Sequence, residues 1–273
     1  MLKKCWICFL CFALLLVCGC TKHAPPDAQL VGLNGAAAGG LKAAAEYAVL
    51  SNETVAWGLK KNKGAAPEVD AQAVALLERY GGVYKTNEEK TLYLTFDEGY
   101  ENGYTAQILD VLKKTGVPAA FFITGDYLKS QPDLVRRMAE EGHNVGNHTY
   151  KHPSMPSVEG DKALAEEILS LSDAYEELTG KKMTLLRPPM GEFSERTLAI
   201  TKDLGLKTVL WSFAYVDWQR DAVHGAQYAY DRIVPYMHDG AVLLLHAVSK
   251  DNADALERVI LQLQADGYRF KAL

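Results

Sequence analysis

The sequence predicts an α/β protein: a parallel sheet with helices outside it, either doubly wound or closed as a barrel. Two observations carry that expectation. From Lys90 onward, short apolar runs alternate with segments of helical periodicity, the pattern of repeated strand–helix units. The runs are short and built of β-branched, aromatic and aliphatic residues, the composition and length of buried strands. Length then sets the domain count. The chain has 273 residues, and α/β barrels routinely use about 200–250 residues as one domain. One domain is expected over residues 52–273, with an N-terminal extension to about residue 89.

The elements follow in order. Between Asn52 and Glu89 one helix is expected, Val69–Tyr80, with Val74, Leu76, Leu77 and Tyr80 apolar and Gly81-Gly82 breaking it. Thr91–Phe96 (TLYLTF) is β-branched and aromatic, a buried strand. Tyr104, Ile108, Val111 and Leu112 come next at helical spacing, closed by Gly116 and Pro118. Ala119–Ile123 (AAFFI) is a second buried strand, Asp133–Glu141 a helix after Pro132, and His143–Gly146 a short strand. Leu164, Ile168, Leu171, Tyr175 and Leu178 mark a long amphipathic helix ended at Gly180. Met183–Leu186, Thr208–Trp211 and Ala241–Leu245 are three further strands. Helices at Ser194–Leu204, Gln227–Met237 and Asn252–Ala265 separate or follow them.

Composition excludes several classes. With 48% hydrophobic and 23% charged residues, the chain is neither disordered nor a polytopic membrane protein. All five cysteines, Cys5, Cys8, Cys11, Cys18 and Cys20, fall within the first 20 residues. A disulfide framework, a zinc finger or a cysteine nucleophile in the body is therefore ruled out. Lys3 and Lys4 followed by the apolar run Cys5–Cys18 form a secretory signal, too short for a spanning helix. Its end, Val17-Cys18-Gly19-Cys20, resembles a bacterial lipobox, in which Cys20 would carry lipid. The alternative is an uncleaved anchor; in both cases the body lies outside the cytoplasm. An Ala/Gly-rich tether is expected over residues 20–51, perched between lipid and body. Cleavage removes two lysines and no acid, leaving 254 residues with 27 basic against 34 acidic side chains, net −7. That balance argues against nucleic acid as a partner.

In such folds reactive residues gather where strands end. Here the first strand runs into Asp97 and Glu98, the third delivers His148 and His152, and others end at Arg187-Pro188-Pro189, Asp217-Trp218 and His246. Two neutral imidazoles and a carboxylate suit a divalent metal such as zinc. Taken singly, each residue has an ordinary explanation: a capping histidine pair, an acidic turn, a surface arginine, a core histidine. Their shared register at the strand ends outweighs those explanations.

At these residues the chain resembles the NodB-type polysaccharide deacetylases, carbohydrate esterase family four. The matching motifs are TFDEG (Thr95–Gly99), HTYKH (His148–His152), RPPMG (Arg187–Gly191), Asp217-Trp218 and LLH (Leu244–His246), in family order from about Lys90 to the end. The longer stretches TFDEGYENGYT, RPPMGEFSERT, WSFAYVDW and LLLHAVS look like the spore-cortex branch, which deacetylates N-acetylmuramic acid on the way to muramic δ-lactam; Trp57-Gly58-Leu59 is similar to that branch too. The resemblance implies a distorted (β/α) barrel and metal-assisted amide hydrolysis. It implies Asp97 as base, Arg187 as its partner, His246 as acid oriented by Asp217, and Glu98, His148 and His152 as ligands of zinc, manganese or cobalt. Met190, Trp218 and Leu244 would meet the substrate. The expected partners are a peptidoglycan glycan strand and, through Cys20, the membrane; a monomer is expected. One departure stands out: the family's usual second aspartate is Glu98 here, whose extra methylene moves the carboxylate by about 1 Å.

Two other functions fit the same residues. One is deacetylation of N-acetylglucosamine in peptidoglycan or another polysaccharide. The other is a lipid-anchored glycan-binding protein without turnover, against which the retained Asp97, Arg187, Asp217 and His246 speak, because binding needs no matched acid and base. Net charge −7 is awkward for a protein acting on an anionic polymer, and calls for positive loops near the substrate or a substrate stripped of charge.

Overall fold

The computed structural model describes residues 44–273. The expected signal peptide, the lipidation site Cys20 and most of the tether lie outside those residues. The described chain begins with the helical turn α1 (Ala44–Tyr47). Tyr47 is buried, and its hydroxyl lies 2.8 Å from Asp203 Oδ2. The chain is therefore docked on the body before the tether's expected end at residue 51.

The N-terminal extension carries β1 (Val55–Ala56), the hairpin β2 (Leu59–Asn62) and β3 (Ala65–Val69), and α2 (Ala71–Arg79). Asp70 caps α2 by accepting from the backbone N–H groups of Gln72 and Ala73. The hairpin was not expected. None of its strand residues is fully buried, and the strands carry Lys60, Lys61 and Glu68, so no apolar run announces them.

The strand–helix alternation is present as expected. It runs β4 (Thr91–Glu98), α3 (Thr105–Thr115), β5 (Ala119–Ile123), α4 (Gly125–Ser130), α5 (Pro132–Glu140), β6 (Asn144–Asn147) and α6 (Asp161–Thr179). Then come β7 (Leu185–Leu186), β8 (Glu192–Phe193), α7 (Glu195–Asp203), β9 (Lys207–Thr208), α8 (Ala226–Ile233), β10 (Ala241–His246), α9 (Lys250–Ala265) and β11 (Arg269–Phe270). The main sheet has the order β10-β4-β5-β6-β7-β9, every neighbour parallel, and β11 pairs with the start of β4. The strand expected at Thr208–Trp211 is only Lys207–Thr208, because the residues beyond it leave β7 to close the sheet. Val83 pairs with Val209, Lys85 with Ala241 of β10, and Phe213 with Leu243 of β10. Leu244 N–H donates to Phe213 O at 2.8 Å. These bonds join the β9 edge to the β10 edge, and the sheet curls into a distorted barrel, not an open doubly wound layer.

Alternation along the strands sorts side chains into two layers. Leu92, Leu94 and Phe96 of β4 pack with Leu243 and Leu245 of β10, Phe121 and Ile123 of β5, and the outer helices. Tyr93 belongs to the barrel interior with Ala120, Phe122, Leu185, Val209 and Val242. Following the same alternation to the strand ends, Tyr93-Thr95-Asp97 and Val242-Leu244-His246 lie on the interior and Glu98 follows Phe96 in the outer layer.

Candidate active site

The C-terminal ends of four strands of the main sheet, β10, β4, β6 and β7, deliver the site. Asp97 ends the interior row of β4 and pairs in register with His246 of β10. His148 follows β6 directly, and Arg187 follows β7. Arg187 is wholly buried. Its guanidinium lies over the Phe122 ring, 4.2 Å from the centroid. Nε donates to Val209 O at 3.2 Å and Nη1 to Asp97 Oδ1 at 2.7 Å. Gly146 makes room for this stack, since a Cβ there would stand 2.6 Å from the Phe122 ring. Burial alone would neutralise Asp97, but the Arg187 guanidinium, with His148 and His246 beside it, holds the carboxyl below its ordinary pKa.

His148 and His152 sit on a tight loop, not a helical turn. Thr149 and His152 both adopt left-handed backbone, φ 62° and 59°. Asn147 accounts for it: its Oδ1 accepts from Thr149 N–H at 2.8 Å, while its amide group donates to Ile168 O of α6 at 2.7 Å. Thr149 Oγ1 in turn accepts from His152 N–H at 3.1 Å. The two imidazoles meet edge to face with centroids 4.8 Å apart. His148 Nδ1 lies 2.8 Å from Arg187 O, which leaves Nε2 facing Asp97 Oδ2 at 3.5 Å. Burial, only partly opposed by the Asp97 charge, pushes His148 down to about 4, so it is neutral at pH 7.

Across the cavity, His246 Nδ1 lies 2.7 Å from Asp217 Oδ1, and its backbone N–H donates to Asp217 Oδ2 at 2.9 Å. Burial disfavours the imidazolium, yet the charge and hydrogen bond of Asp217, helped by Asp97, raise His246 above its ordinary pKa. Two residues that sequence reasoning missed complete this corner. Asn252 donates to Asp217 Oδ2 at 2.6 Å and to His246 O at 3.3 Å, and Tyr215 donates its hydroxyl to Asn252 Oδ1. Both are buried. The only signal in the sequence was Asn252 near the start of α9, where a capping polar residue is ordinary.

Two adjoining cavities of about 340 and 410 Å³ share Asp97, His148, His152, Trp218 and His246 in their walls. The larger is closed by Met190, Trp211 and Leu244. Met190 lies at φ 58° in the turn Pro189–Gly191, about half exposed. Trp218 is also half exposed and meets the His246 ring edge-on at 5.5 Å. The structure thus brings Asp97, His148, His152, Arg187, Asp217, His246, Met190, Trp218 and Leu244 together.

Glu98 is the exception. It is fully buried in the outer layer, in neither cavity wall, and neither of its carboxylate oxygens has a hydrogen-bond partner among the described residues. Burial, with Glu101 and Asp97 nearby, pushes its carboxyl well above the usual range. The physical reason is the strand itself: β4 extends through Glu98, so consecutive residues point to opposite faces. His148 and His152 suit a divalent cation: the Arg187 carbonyl orients the His148 ring from behind, and the His152 backbone is held by Thr149 Oγ1. The carboxylate beside them is Asp97, and Glu98 does not complete their set. Among the described residues no group of three His, Cys, Asp or Glu side chains is gathered to hold a metal ion.

The polysaccharide deacetylase profile matches residues 84–209, the segment that carries Asp97, His148, His152 and Arg187. The peptidoglycan-N-acetylmuramic acid deacetylase PdaA of Bacillus subtilis strain 168 is 41% identical over 271 residues, 98% of this chain and 94% of that one. The chain belongs to the polysaccharide deacetylase family, carbohydrate esterase family 4. The solved structure of Bacillus subtilis PdaA superposes with a TM-score of 0.79 at 45% identity, covering 82% of this chain and 96% of that one. A family 4 carbohydrate esterase from Bacillus anthracis superposes at 0.69 with 43% identity, covering 82% and 95%. The distorted barrel is the fold of this family, and the deacetylase is a hydrolase of C–N amide bonds. Members of the family depend on a metal. Among the described residues no helix is long and apolar enough to cross a membrane.

Proposed function

We propose that this deacetylase removes the acetyl group from N-acetylmuramic acid residues of peptidoglycan, leading to muramic δ-lactam in spore cortex. One observation carries the reading of the chemistry: a buried ionised carboxylate (Asp97–Arg187) faces a protonatable imidazole (His246–Asp217) across one cavity. The choice of muramic acid is supported by the 41% identity with PdaA over 98% of the chain.

The residues would divide the work as follows. Asp97, kept ionised by Arg187, takes a proton from the water that attacks the acetyl carbonyl carbon. His246, kept protonated by Asp217, gives a proton to the amide nitrogen as the C–N bond breaks, releasing acetate and the free amine. Met190, Trp211, Trp218 and Leu244 enclose the acetyl methyl and keep bulk water from it. His148 and His152 would hold a divalent cation, zinc first, with manganese or cobalt as substitutes; when bound, it supplies positive charge to the polarised carbonyl. Cys20 would carry the lipid that holds the enzyme on the wall side of the membrane.

The test uses the full chain in detergent, loaded in turn with zinc, manganese or cobalt, on peptide-free peptidoglycan glycan, with products weighed by mass spectrometry. Loss of acetyl from muramic residues is expected. Loss only from glucosamine would establish the alternative substrate, and binding without mass change under every metal would point to a glycan-binding protein.

A further inference from the structure

Muramic acid differs from glucosamine by one group, a lactyl ether at C3 that ends in a carboxylate, beside the C2 that bears the acetamide. A residue that tells the two sugars apart must therefore stand within one ring's reach of the reacting carbonyl and must favour negative charge. Lys151 meets both demands. It lines the cavity that Asp97, His148, His152 and His246 also line, and it is the only lysine or arginine in the wall of either cavity among the described residues. We infer that Lys151 binds the lactyl carboxylate and so selects N-acetylmuramic acid over N-acetylglucosamine; the inference rests on the function proposed above.

The loop is built to present this side chain. Left-handed backbone at Thr149 and His152 brackets Lys151. Tyr150 N–H donates to Glu167 O at 3.0 Å, and Lys151 N–H donates to Glu167 Oε2 at 2.8 Å. One oxygen of the Glu167 carboxylate is thus spent on the backbone, and Lys151 Nζ forms no ion pair among the described residues, where the side chain is exposed. Two of the other charges facing this cavity are matched, Asp97 by Arg187 and His246 by Asp217. Asp126, which also lines this cavity, would repel a carboxylate, so Lys151 is the cationic contact that its wall offers among the described residues. Arg220, stacked 4.5 Å over the ring of Tyr100, adds positive charge beyond the rim. A local cation in the cavity also accounts for how a chain of net charge −7 once its leader is removed accepts an anionic sugar.

The test crosses the variant with the substrate. Metal-loaded wild type, Lys151→Gln and Lys151→Arg are each assayed on peptide-free glycan, and on the same glycan with its lactyl carboxylates converted to methyl amides. For the wild type, amidation should raise KM on the order of tenfold, the scale of one charge-assisted hydrogen bond. Lys151→Gln should show that rise on the native glycan and no further rise on amidation, with kcat little changed, and Lys151→Arg should keep the wild-type response. A wild type that releases acetate from muramic residues but ignores amidation, or a Lys151→Gln enzyme that responds to it as the wild type does, would overturn the assignment while leaving the function standing. A wild type that releases no acetate from muramic residues would overturn both.

Discussion

Arg187 holds Asp97 at 2.7 Å with its side chain, inside a pocket where the arginine has no exposure to solvent. The same residue accepts the His148 hydrogen bond through its backbone carbonyl at 2.8 Å, so one position ties the carboxylate to the histidine pair. Removing its charge would strand a buried anion, a loss of about 3–5 kcal/mol in comparable pairs. Arg187→Met is expected to lower the melting temperature and to raise the pKa of Asp97. Because Asp97 must be ionised to act, the acidic limb of kcat/KM should move to higher pH. Arg187→Lys keeps a charge but cannot reach both Asp97 and Val209 O, and should lose at least about tenfold in kcat. An acidic limb that stays in place in the methionine variant would contradict the pairing.

In the proposed mechanism His246 acts in its protonated form, so activity should fall as pH rises through its pKa. Asp217 raises that pKa. In Asp217→Asn the basic limb of kcat/KM should therefore move to lower pH, by about one unit if the lost interaction is near 1.4 kcal/mol. Asn252→Ala removes the 2.6 Å hydrogen bond to Asp217 and should cut kcat more than it changes KM. Steady-state kinetics between pH 5 and 9 would show both effects, and an unmoved basic limb in Asp217→Asn would sink the assignment.

Glu98 makes the opposite kind of prediction. Its folded pKa lies above its unfolded value, so between those two values the folded state holds more protons than the unfolded state. Stability is then fully present below the unfolded pKa and declines as pH rises through this window. Glu98→Gln removes the decline: its melting temperature should match wild type near pH 4 and exceed it increasingly toward neutrality. Metal affinity, followed by competition with a chelating dye, should not change. A large loss of affinity would return Glu98 to the ligand set.

Trp57 connects the N-terminal extension to the cavity. Its backbone N–H donates to Gly191 O at 2.9 Å and its indole N–H to Trp211 O at 2.9 Å, and β1 pairs with β8 just beyond Met190. Met190 and Trp211 line the cavity assigned to the acetyl methyl. Trp57→Phe keeps most of the packing and deletes the indole donor. It should leave the melting temperature within a few degrees and relax acyl selectivity, raising the rate on N-propionyl relative to N-acetyl glycan severalfold. A fall in melting temperature with unchanged selectivity would reduce Trp57 to a structural prop.

Much of the body was legible because its strands are buried on both faces. TLYLTF, AAFFI and AVLLL carry no charged residue and only β-branched, aromatic or aliphatic side chains, and β4, β5 and β10 stand where expected. Short elements held by partners distant in the chain were not legible. The β2–β3 hairpin carries exposed lysines, α4 is a six-residue turn capped by Thr124, and β9 is cut short because Val209 and Phe213 serve another edge. The site followed the same division. Asp97, His148, Arg187 and His246 could be recognised as residues at strand ends, whereas Asn252 and Tyr215 sit on other elements and reach Asp217 only after the barrel closes.

Sequence alone carried the strand–helix alternation, the carboxylates, guanidinium and imidazoles at the strand ends, and the absence of any cysteine beyond residue 20. It could not assign side chains to faces at the point where a strand ends. Asp97 and Glu98 are adjacent acids of the same chemical type, and which of them faces the histidines depends on whether β4 stops before Glu98 or runs through it. That is decided by pairing: Glu98 is registered against Ile123 of β5, which keeps the backbone extended and turns its side chain away from the cavity into the outer layer. A one-residue alternation, set by neighbours far away in the chain, separates a carboxylate that Arg187 keeps charged from one that burial keeps neutral.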